Sequence, residues 1–255
     1  MTSQHLASNA LFSDRADHYA NHRPSYPPKV LAILRRLVPP PADAVDVAAG
    51  TGILSRALAA AGYRTVAVEP NAAMRAAIEA HSSPGLQVAD GAGEETGLRD
   101  GSADLITVAQ ALHWLDPRAA LAEFRRISRP GCLAAIIWNS RDFDATPFMR
   151  DYRAILLEHA PEYRSMKTTW ANLHERARDF FPEWSVETVI DNTQHWELDT
   201  LLGNLWSLSY APDPGTPGRS TLETEARRIF GNYAASGHIE FRMRTYVVTG
   251  PVGEA

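Results

Sequence analysis

A single cysteine, Cys132, is present in this sequence of 255 residues. A disulfide within the chain needs two cysteines, so the small secreted proteins that disulfides hold together are excluded, and a lone thiol suits a reducing compartment. The N-terminal residues lack the basic start and the apolar run of a signal peptide. No segment approaches the roughly 18 to 20 apolar residues that cross a membrane. We therefore expect a cytoplasmic protein with no membrane partner.

A basic block is also missing from the sequence. The 25 Lys and Arg residues are fewer than the 30 Asp and Glu residues, and the net charge is −5. Proteins that bind nucleic acids usually concentrate Lys and Arg on one surface, because contacts to phosphates dominate their affinity. We expect no nucleic-acid partner. His18 and His22 form an isolated pair without further ligands, so no metal is predicted. The oligomeric state is not indicated by the sequence.

Short apolar runs alternate with helical segments in the first half of the chain. Helices are predicted over Lys29–Val38, Ile53–Ala61, Ala72–Ala80 and Pro117–Ile127. The predicted strands are Val45–Ala48, Thr65–Val68, Leu86–Ala89, Asp104–Ala109 and Cys132–Trp138. Continuous apolar strands separated by helices predict a parallel sheet that is covered on both faces.

The pattern changes after Asn139. Helices are predicted over Pro147–His159, Trp170–Phe180 and Leu198–Leu205, late strands over Val186–Ile190 and Arg242–Val248, and a loop over residues 213–218. We predict one domain spanning residues 1–255. Its parts are an N-terminal lid and helix (1–43), a cofactor-binding core (44–140), helical cap segments (141–183 and 198–236) and late strands (184–191 and 241–249).

A glycine turn lies between the first predicted strand and its helix. The run Val45–Gly52 reads as a buried strand that ends in a Gly-Thr-Gly turn, and the second strand ends at the acid Glu69. A helix start presents backbone N–H groups, and an acid at the end of the second strand is placed to bind ribose hydroxyls. A tight turn without a ligand would explain the glycines alone. Their combination with Glu69 predicts a site for a nucleoside-containing cofactor.

Two residues indicate which cofactor this is. A dinucleotide site prefers a third small residue, Gly or Ala, where this sequence has Ser55. Asp46 precedes the turn, and a carboxylate there would repel a pyrophosphate but would suit a cofactor that carries an ammonium and a sulfonium. The charge pattern therefore favours S-adenosylmethionine over a nicotinamide dinucleotide.

Five motifs in this order resemble those of the class I S-adenosylmethionine-dependent methyltransferases. The resemblance covers about residues 12–140 and rests on Val45–Gly52, Val66–Asn71, Gly91–Glu94, Asp100–Ala109 and Arg129–Gly131. Arg23–Pro27 and Gln110–Trp114 are similar to a bacterial small-molecule branch that is loosely related to the trans-aconitate methyltransferases. The resemblance implies a Rossmann-like, doubly wound α/β sheet of about seven strands, mostly parallel with an antiparallel last strand, and a helical cap inserted after the fifth strand.

The residues and the resemblance together give a set of cofactor-binding residues. They are Tyr19, Arg23, Asp46, Ala48, Ala49, Gly50, Gly52, Glu69, Pro70, Asn71, Met74, Ala92, Gly93, Glu94 and Gln110. Two of them depart from the family pattern. Ala48 stands where the family usually has its first glycine, and Ala92 stands where it usually has an acid near the adenine. The role of the missing acid would pass to Asp90, Glu94 or main-chain carbonyls.

Methyl transfer requires an aligned acceptor and, for an acceptor such as a phenol, a base. His113 follows the fourth strand, at the carboxyl end where ligands bind in such sheets, and is the predicted catalytic residue. A solvated loop histidine is the alternative for it, and wall packing is the alternative for the tryptophans. Arginines after the fifth strand either bind a carboxylate substrate or form a solvated helix face; they are Arg141, Arg150, Arg153 and Arg164. The predicted substrate-binding residues are His22, Trp114, Trp138 and Asn139.

We therefore predict an enzyme that transfers the methyl group of S-adenosylmethionine to an oxygen or nitrogen of a small organic molecule. Two alternatives remain open. One is a nicotinamide-dependent oxidoreductase on the same architecture, and the other is a catalytically silent sensor or scaffold that binds the cofactor. The sequence does not specify the acceptor.

Overall fold

The computed structural model describes residues 23–81, 83–164, 172–181 and 184–253. Two predicted site residues, Tyr19 and His22, lie outside the described residues, as do most of the predicted N-terminal lid and Trp170.

Among the described residues, seven strands form one sheet and two more form a separate ribbon. The strands of the chain are β1 (Asp43–Val47), β2 (Arg64–Val68), β3 (Leu86–Ala89), β4 (Ala103–Ala109), β5 (Ser128–Arg141), β6 (Val186–Asp191), β7 (Gln194–Trp196), β8 (Ile239–Phe241) and β9 (Met243–Pro251). The sheet has the order β3-β2-β1-β4-β5-β9-β6, and β7 pairs with β8. Strands β1 to β5 pair in parallel, whereas β9 is antiparallel to both β5 and β6. The predicted Rossmann-like sheet with an antiparallel last strand is confirmed.

Eight α-helices accompany these strands in the described part of the chain. They are α1 (Pro28–Leu37), α2 (Ile53–Ala60), α3 (Ala72–Ala80), α4 (Pro117–Ile127), α5 (Pro147–His159), α6 (Leu173–Asp179), α7 (Leu198–Trp206) and α8 (Pro217–Tyr233). A short 3₁₀ turn, Leu112–Trp114, lies between β4 and α4.

Both faces of the sheet are buried. Val45 and Val47 of β1 belong to an apolar cluster that includes residues of α4 and α6. Ala44 of the same strand belongs to a different cluster, with residues of α1 and α2. Since neighbouring residues of a strand point to opposite faces, this division explains why the parallel strands are apolar throughout.

A third apolar cluster lies in the segments after β5. It contains buried residues of α5, α7, α8 and β8, and the rings of Trp196 and Phe241 stack within it at a centroid distance of 3.8 Å. Helix α6, by contrast, places Leu173 and Ala177 in a cluster of the main sheet. The helices of the predicted cap therefore divide between two cores, with α6 on the sheet. We use the term cap below for α5, α7, α8 and the β7–β8 ribbon.

The loop predicted over residues 213–218 is shorter than expected, because α8 begins at Pro217. Thr216 caps this helix by accepting a hydrogen bond from the N–H of Arg219, and proline suits the first turn. Only Leu222, Ala226 and Ile229 are buried along its 17 residues. So narrow an apolar stripe explains why the sequence did not give bounds for this helix within the predicted cap segment 198–236. The β7–β8 ribbon was also not predicted.

Within the described ranges, no helix is long and apolar enough to span a membrane. The same residues contain no group of three or more His, Cys, Asp and Glu side chains that could hold a metal ion.

Candidate active site

The turn after β1 has a left-handed backbone at three residues. The φ angle is 52° at Ala48, 58° at Gly50 and 78° at Gly52. Only glycine adopts such angles freely, and an L-residue with a side chain loses about 1–2 kcal/mol. A Cβ added at Gly52 would also lie 3.0 Å from Ile78 Cγ1. The backbone therefore requires the two glycines, whereas Ala48 occupies a conformation that costs it free energy.

Glu69 directly follows β2 and connects this strand to the glycine turn. It is 7% exposed, and its two carboxylate oxygens accept hydrogen bonds from the N–H groups of Gly50 (2.8 Å) and Asn71 (3.0 Å). Burial raises the pKa of Glu69 to about 7, although both N–H groups act in the opposite direction. An acid is thus held against the turn, at the edge where the carboxyl ends of β1 and β2 meet.

The turn also retains an unsatisfied polar group. Thr51 is 1% exposed, and its hydroxyl oxygen has no hydrogen-bond partner among the described residues. Buried hydroxyls normally have a partner, so this one suits a ligand. Together with the left-handed glycines and the acid Glu69, it makes the turn fit the polar end of a nucleoside cofactor.

Asp46, in β1, is buried and has contacts to two neighbouring elements. It is 1% exposed, and it accepts hydrogen bonds from the hydroxyls of Ser55 (2.5 Å) and Thr107 (2.7 Å). Burial raises its pKa to about 6, and both hydroxyls act against this increase. Asp46 therefore joins β1 to α2 and β4 beneath the turn. These contacts explain the serine at position 55, and the cofactor role predicted for Asp46 stays a prediction.

Residues predicted around the adenine have structural contacts of their own. The side chain of Asn71 accepts a hydrogen bond from the N–H of Met74 (3.1 Å) at the start of α3, and Met74 is only 3% exposed. Pro70 is partly buried between β2 and this helix. Glu94 accepts a hydrogen bond from the N–H of Asp116 (2.7 Å), just before α4. These contacts explain the residue types without a ligand, so their cofactor roles stay predictions.

Three small residues of the predicted set lie in tight backbone turns. The N–H of Ala49 donates to the last carbonyl of β2 at 3.1 Å. Ala92 and Glu95 pair through their backbones. A Cβ added at Gly93 would lie 2.6 Å from Leu115 Cδ2, so only glycine fits there. Small side chains at these positions let the loops after β1 and β3 approach their neighbours.

A cavity of about 470 Å³ lies at the carboxyl ends of β4 and β5. This volume falls within the roughly 300–1,000 Å³ of small-molecule sites. The glycine turn and Glu69 are not among its lining residues. The cavity does bring together six residues predicted from the sequence, which are Arg23, Gln110, His113, Trp114, Trp138 and Asn139.

Gln110 lines the cavity from the end of β4. It follows β4, next to β1 in the sheet, and has a left-handed φ of 60°. Its backbone N–H donates to the carbonyl of Ile137 at 2.8 Å, and its side chain donates to the carbonyl of Asn139 at 3.3 Å. These bonds to β5 fix the side chain at the cavity wall.

His113 lies in the 3₁₀ turn after β4. Arg176 holds this turn, because its guanidinium donates to the carbonyls of Leu112 (3.5 Å) and Leu115 (3.2 Å). Burial lowers the pKa of His113 to about 4, and the charges of Arg176 and Arg23 add to the decrease. The imidazole is therefore uncharged at neutral pH, and its ring nitrogens have no hydrogen-bond partner in the part of the chain that the structure describes.

Aromatic side chains form part of the cavity wall. Trp138 is 4% exposed and stacks on Tyr246 at a centroid distance of 5.2 Å. His174 packs edge-on against both rings, and its Nδ1 lies 3.2 Å from a carboxylate oxygen of Glu187. Trp114 is partly buried, with its ring 4.7 Å from that of His113. Trp138 thus belongs to a packed wall, while Trp114 sits beside the predicted catalytic residue.

The N-terminal segment is attached to the cavity rim through Ser25. Its carbonyl accepts hydrogen bonds from three amide side chains, those of Asn139 (3.4 Å), Asn192 (3.2 Å) and Gln194 (3.4 Å). The preceding Arg23 lines the cavity and donates to the carbonyl of Ser207 at 3.1 Å. Asn139 therefore anchors the chain at the rim in addition to lining the cavity.

Some residues of the site were missed in the sequence. Arg176 positions the turn of His113 from 61 residues further along the chain, and no local pattern marks it. Tyr163 lines the cavity from the segment after α5. The tyrosine is one of several aromatic residues after β5, and only the fold shows which of them reach the cavity.

The fold and the site define a class. A seven-stranded sheet with an antiparallel β9, a left-handed glycine turn after β1 and an acid after β2 are the features of class I S-adenosylmethionine-dependent methyltransferases. Residues 45–136 match the model of a methyltransferase domain. Residues 45–136 therefore form a methyltransferase domain similar to those of this class, and S-adenosylmethionine is the cofactor of such a domain.

Curated relatives agree with this assignment. The chain is 38% identical over 147 residues to an uncharacterized methyltransferase of Mycobacterium tuberculosis. The aligned residues cover 56% of this chain and 57% of that protein. It is 28% identical over 173 residues to an uncharacterized methyltransferase of Schizosaccharomyces pombe, covering 67% of this chain and 65% of that one. The chain thus spans less than two thirds of the length of these relatives.

Solved structures share the fold at low sequence identity. A protein of Anaeromyxobacter dehalogenans, proposed to be a type II methyltransferase, has a TM-score of 0.60 and 22% identity, covering 91% of this chain and 99% of that one. A protein of Anabaena variabilis, proposed to be a methyltransferase of antibiotic biosynthesis, has a TM-score of 0.56 and 20% identity. The match covers 86% of this chain and 96% of that protein.

Proposed function

We propose that this protein transfers the methyl group of S-adenosylmethionine to an oxygen or nitrogen of a small organic molecule and releases S-adenosylhomocysteine. The observation that carries the proposal is the cavity of about 470 Å³ that is lined by Gln110, the residue after β4, since β4 is the neighbour in the sheet of β1 and its glycine turn. A site of this size at the carboxyl ends of β4 and β5 suits a small acceptor.

The cofactor would be held by the glycine turn and Glu69. The turn would surround the methionine portion, and the carboxylate of Glu69 would accept hydrogen bonds from the ribose hydroxyls. Gln110, at the cavity wall, would face the sulfonium. When bound, the cofactor supplies a methyl carbon that its sulfonium activates for displacement. The main task of the protein is then to align the acceptor with this carbon and to exclude water.

His113 would act on the acceptor. With a pKa of about 4, its imidazole is uncharged at neutral pH and accepts a hydrogen bond from a hydroxyl or amine. This bond orients the nucleophile, and the proton that the acceptor loses on methylation would pass to solvent. A full imidazolium is disfavoured beside the charges of Arg176 and Arg23. Positioning is therefore the larger part of the role proposed for His113.

Two measurements test the proposal. Calorimetric titration of the purified protein with S-adenosylhomocysteine should show saturable binding. The absence of binding at millimolar ligand would contradict the proposal. Incubation with S-adenosylmethionine labelled in its methyl group should then transfer label to members of a panel of phenols, amines and carboxylic acids. Binding without transfer to any acceptor would favour the sensor or scaffold.

The nicotinamide-dependent oxidoreductase is the other alternative. Ser55 stands where a dinucleotide turn has a small third residue, and its hydroxyl is committed to Asp46. Mixing the protein with NADH should leave the fluorescence of the nicotinamide unchanged. A saturable enhancement that S-adenosylhomocysteine does not compete away would favour the oxidoreductase.

A further inference from the structure

A guanidinium at the end of β5 faces the cavity without an anionic partner. Arg141 is the last residue of β5 and lines the cavity next to the cap. Its Nη1 donates to the hydroxyl oxygen of Tyr210 at 2.9 Å. Among the described residues, no carboxylate lies within ion-pair distance of it. We propose that Arg141 binds an anionic group of the methyl acceptor, either a carboxylate or a phosphate. This inference rests on the proposed function and specifies its class of substrate.

The surroundings of Arg141 are phenol groups. Tyr163 and Tyr210 both line the cavity, with ring centroids 5.1 Å apart. Tyr152 is fully buried, and its hydroxyl has no hydrogen-bond partner in the described ranges. Burial acts to lower the pKa of Arg141, but the oxygens of these three tyrosines outweigh it and raise the pKa. Arg141 therefore stays charged, and it presents donors to the cavity without an acceptor of opposite charge.

The nearby acids do not supply that charge. Asp142 follows Arg141 in the chain, but its carboxylate pairs with Arg244 at 2.9 Å. The side chain of Asp144 is 87% exposed, and its nearest ion-pair partner is Arg153 at 4.0 Å. Both acids line the cavity, one neutralised by its partner and the other surrounded by water. An acidic ligand would therefore meet a net positive wall at Arg141.

The other arginines at or near the cavity have oxygen partners. Of those that line it, Arg23 donates to the carbonyl of Ser207, and Arg153 lies 4.0 Å from a carboxylate oxygen of Asp144. Arg176, outside the lining, donates to the carbonyls of Leu112 and Leu115. The guanidinium of Arg141 has a single neutral hydroxyl. Planar guanidinium groups bind carboxylate and phosphate through two parallel hydrogen bonds, which is the pairing that this cavity lacks.

The charge of the cofactor strengthens the argument. In the proposed complex a sulfonium would lie near Gln110, and Arg141 lines the same cavity. Two positive charges in a cavity of low dielectric constant repel each other, and a neutral acceptor would leave Arg141 both desolvated and unpaired. An anion on the acceptor offsets both charges. The aromatic wall of Trp114 and Trp138 suits an acceptor whose remainder is apolar.

Binding of matched probes tests this inference. The protein is saturated with S-adenosylhomocysteine, and the fluorescence of its tryptophans is followed during titration with benzoate, benzamide, phenyl phosphate and benzyl alcohol. At least one anion should bind about tenfold more tightly than its neutral counterpart, a difference of about 1.4 kcal/mol. The benzoate and phenyl phosphate arms show whether the site prefers a carboxylate or a phosphate.

Variants assign the preference to one side chain. Arg141→Gln should remove the preference for the anion, Arg141→Lys should retain part of it, and both should bind S-adenosylhomocysteine with wild-type affinity. Arg150→Gln is the matched control, since Arg150 is exposed and outside the cavity lining. Equal binding of anionic and neutral probes by the wild type, or an unchanged preference in Arg141→Gln, would overturn the inference. A wild type that does not bind S-adenosylhomocysteine would contradict the proposed function instead.

Discussion

The two halves of the site differ in the charge that they hold and in how they are built. The cofactor half, at the glycine turn, contains the buried acids Asp46 and Glu69, both with a raised pKa. The acceptor half, at the cap, contains arginines and an uncharged histidine. Backbone turns within one βαβ unit form the first half, whereas side chains from distant segments form the second. A cofactor site of this kind can therefore be predicted from a short stretch of sequence, whereas an acceptor site cannot.

The largest expected effect would come from the acceptor half. His113→Ala should lower turnover by about 100-fold, because the acceptor loses its hydrogen-bond partner, and should leave the affinity for S-adenosylhomocysteine unchanged. Turnover is measured with the best acceptor of the labelled-methyl panel. His195→Ala, an exposed histidine in β7, is the control. Unchanged turnover would remove His113 from the catalytic residues.

The pH dependence of turnover in the same reaction tests the protonation state of His113. Since its pKa is lowered to about 4, the imidazole stays uncharged from about pH 5.5 upward. Turnover should therefore show no inflection from His113 near its ordinary value of 6.5, and should decline only as the pH approaches about 4. An inflection near 6.5 that disappears in His113→Ala would contradict the burial of this side chain.

A substitution in the cofactor half should act on affinity. Glu69→Gln should weaken the binding of S-adenosylhomocysteine by about 10- to 100-fold, since hydrogen bonds to a charged group contribute about 1.5–3 kcal/mol. Calorimetry measures the effect, and Glu79→Gln on the exposed side of α3 is the control. If both variants bind S-adenosylhomocysteine equally well, the ribose does not contact Glu69. The glycine turn and Glu69 would then not form the cofactor half of the site.

The two buried acids can be distinguished from each other. Asp46→Ala leaves the hydroxyls of Ser55 and Thr107 without their acceptor, so the free energy of unfolding should fall by about 1–3 kcal/mol. This corresponds to a decrease in Tm of about 2–4 °C per kcal/mol. The affinity for S-adenosylhomocysteine should change by less than about threefold in the folded variant. A loss of affinity as large as that of Glu69→Gln would support the direct cofactor role predicted for Asp46 from the sequence.

The raised pKa of Glu69 predicts a pH-dependent stability without ligand. Its pKa rises from 4.5 to about 7 on folding, so its contribution to stability is complete below about pH 4.5 and is lost as the pH rises through about 7. The Tm of Glu69→Gln relative to the wild type should therefore increase between about pH 5 and about pH 8. A constant difference across this range would show that Glu69 is not desolvated.

The smallest effect concerns the first residue of the glycine turn. Ala48→Gly relieves a left-handed φ of 52°, a gain that the extra freedom of the unfolded chain partly offsets. Thermal unfolding should show a net stabilisation of about 0–1 kcal/mol. Ala49→Gly, where the backbone is not left-handed, should instead lower Tm. If the two variants respond alike, the strain at Ala48 is not real.

The fold could be predicted because its signals are local. Apolar strands, glycine turns and helix starts lie within a few residues of one another in β1 to β5, and the parallel sheet follows from them. The segments after β5 contain weaker sequence patterns for helices and strands. Helix α8 buries three residues in 17, and β7 and β8 have three residues each, so their existence depends on packing in the cap rather than on their own sequence.

The site was only partly predictable for a related reason. The acid Glu69 was found because it ends a strand at a fixed distance from the glycine turn. The charge argument for Asp46 led to the correct cofactor, but the structure places its carboxylate beneath the turn and on two hydroxyls. Sequence shows that an acid is present and not which way it points. Tyr163 lines the cavity, and Arg176 holds the turn of His113, through tertiary structure alone, and no local sequence pattern predicts either role.

A crystal structure with S-adenosylhomocysteine bound tests the central claim most directly. We predict that both ribose hydroxyls lie within hydrogen-bond distance of Glu69 and that the sulfur faces the cavity beside Gln110 and His113. A ligand bound elsewhere, or bound at the turn with its sulfur directed away from the cavity, would contradict the account.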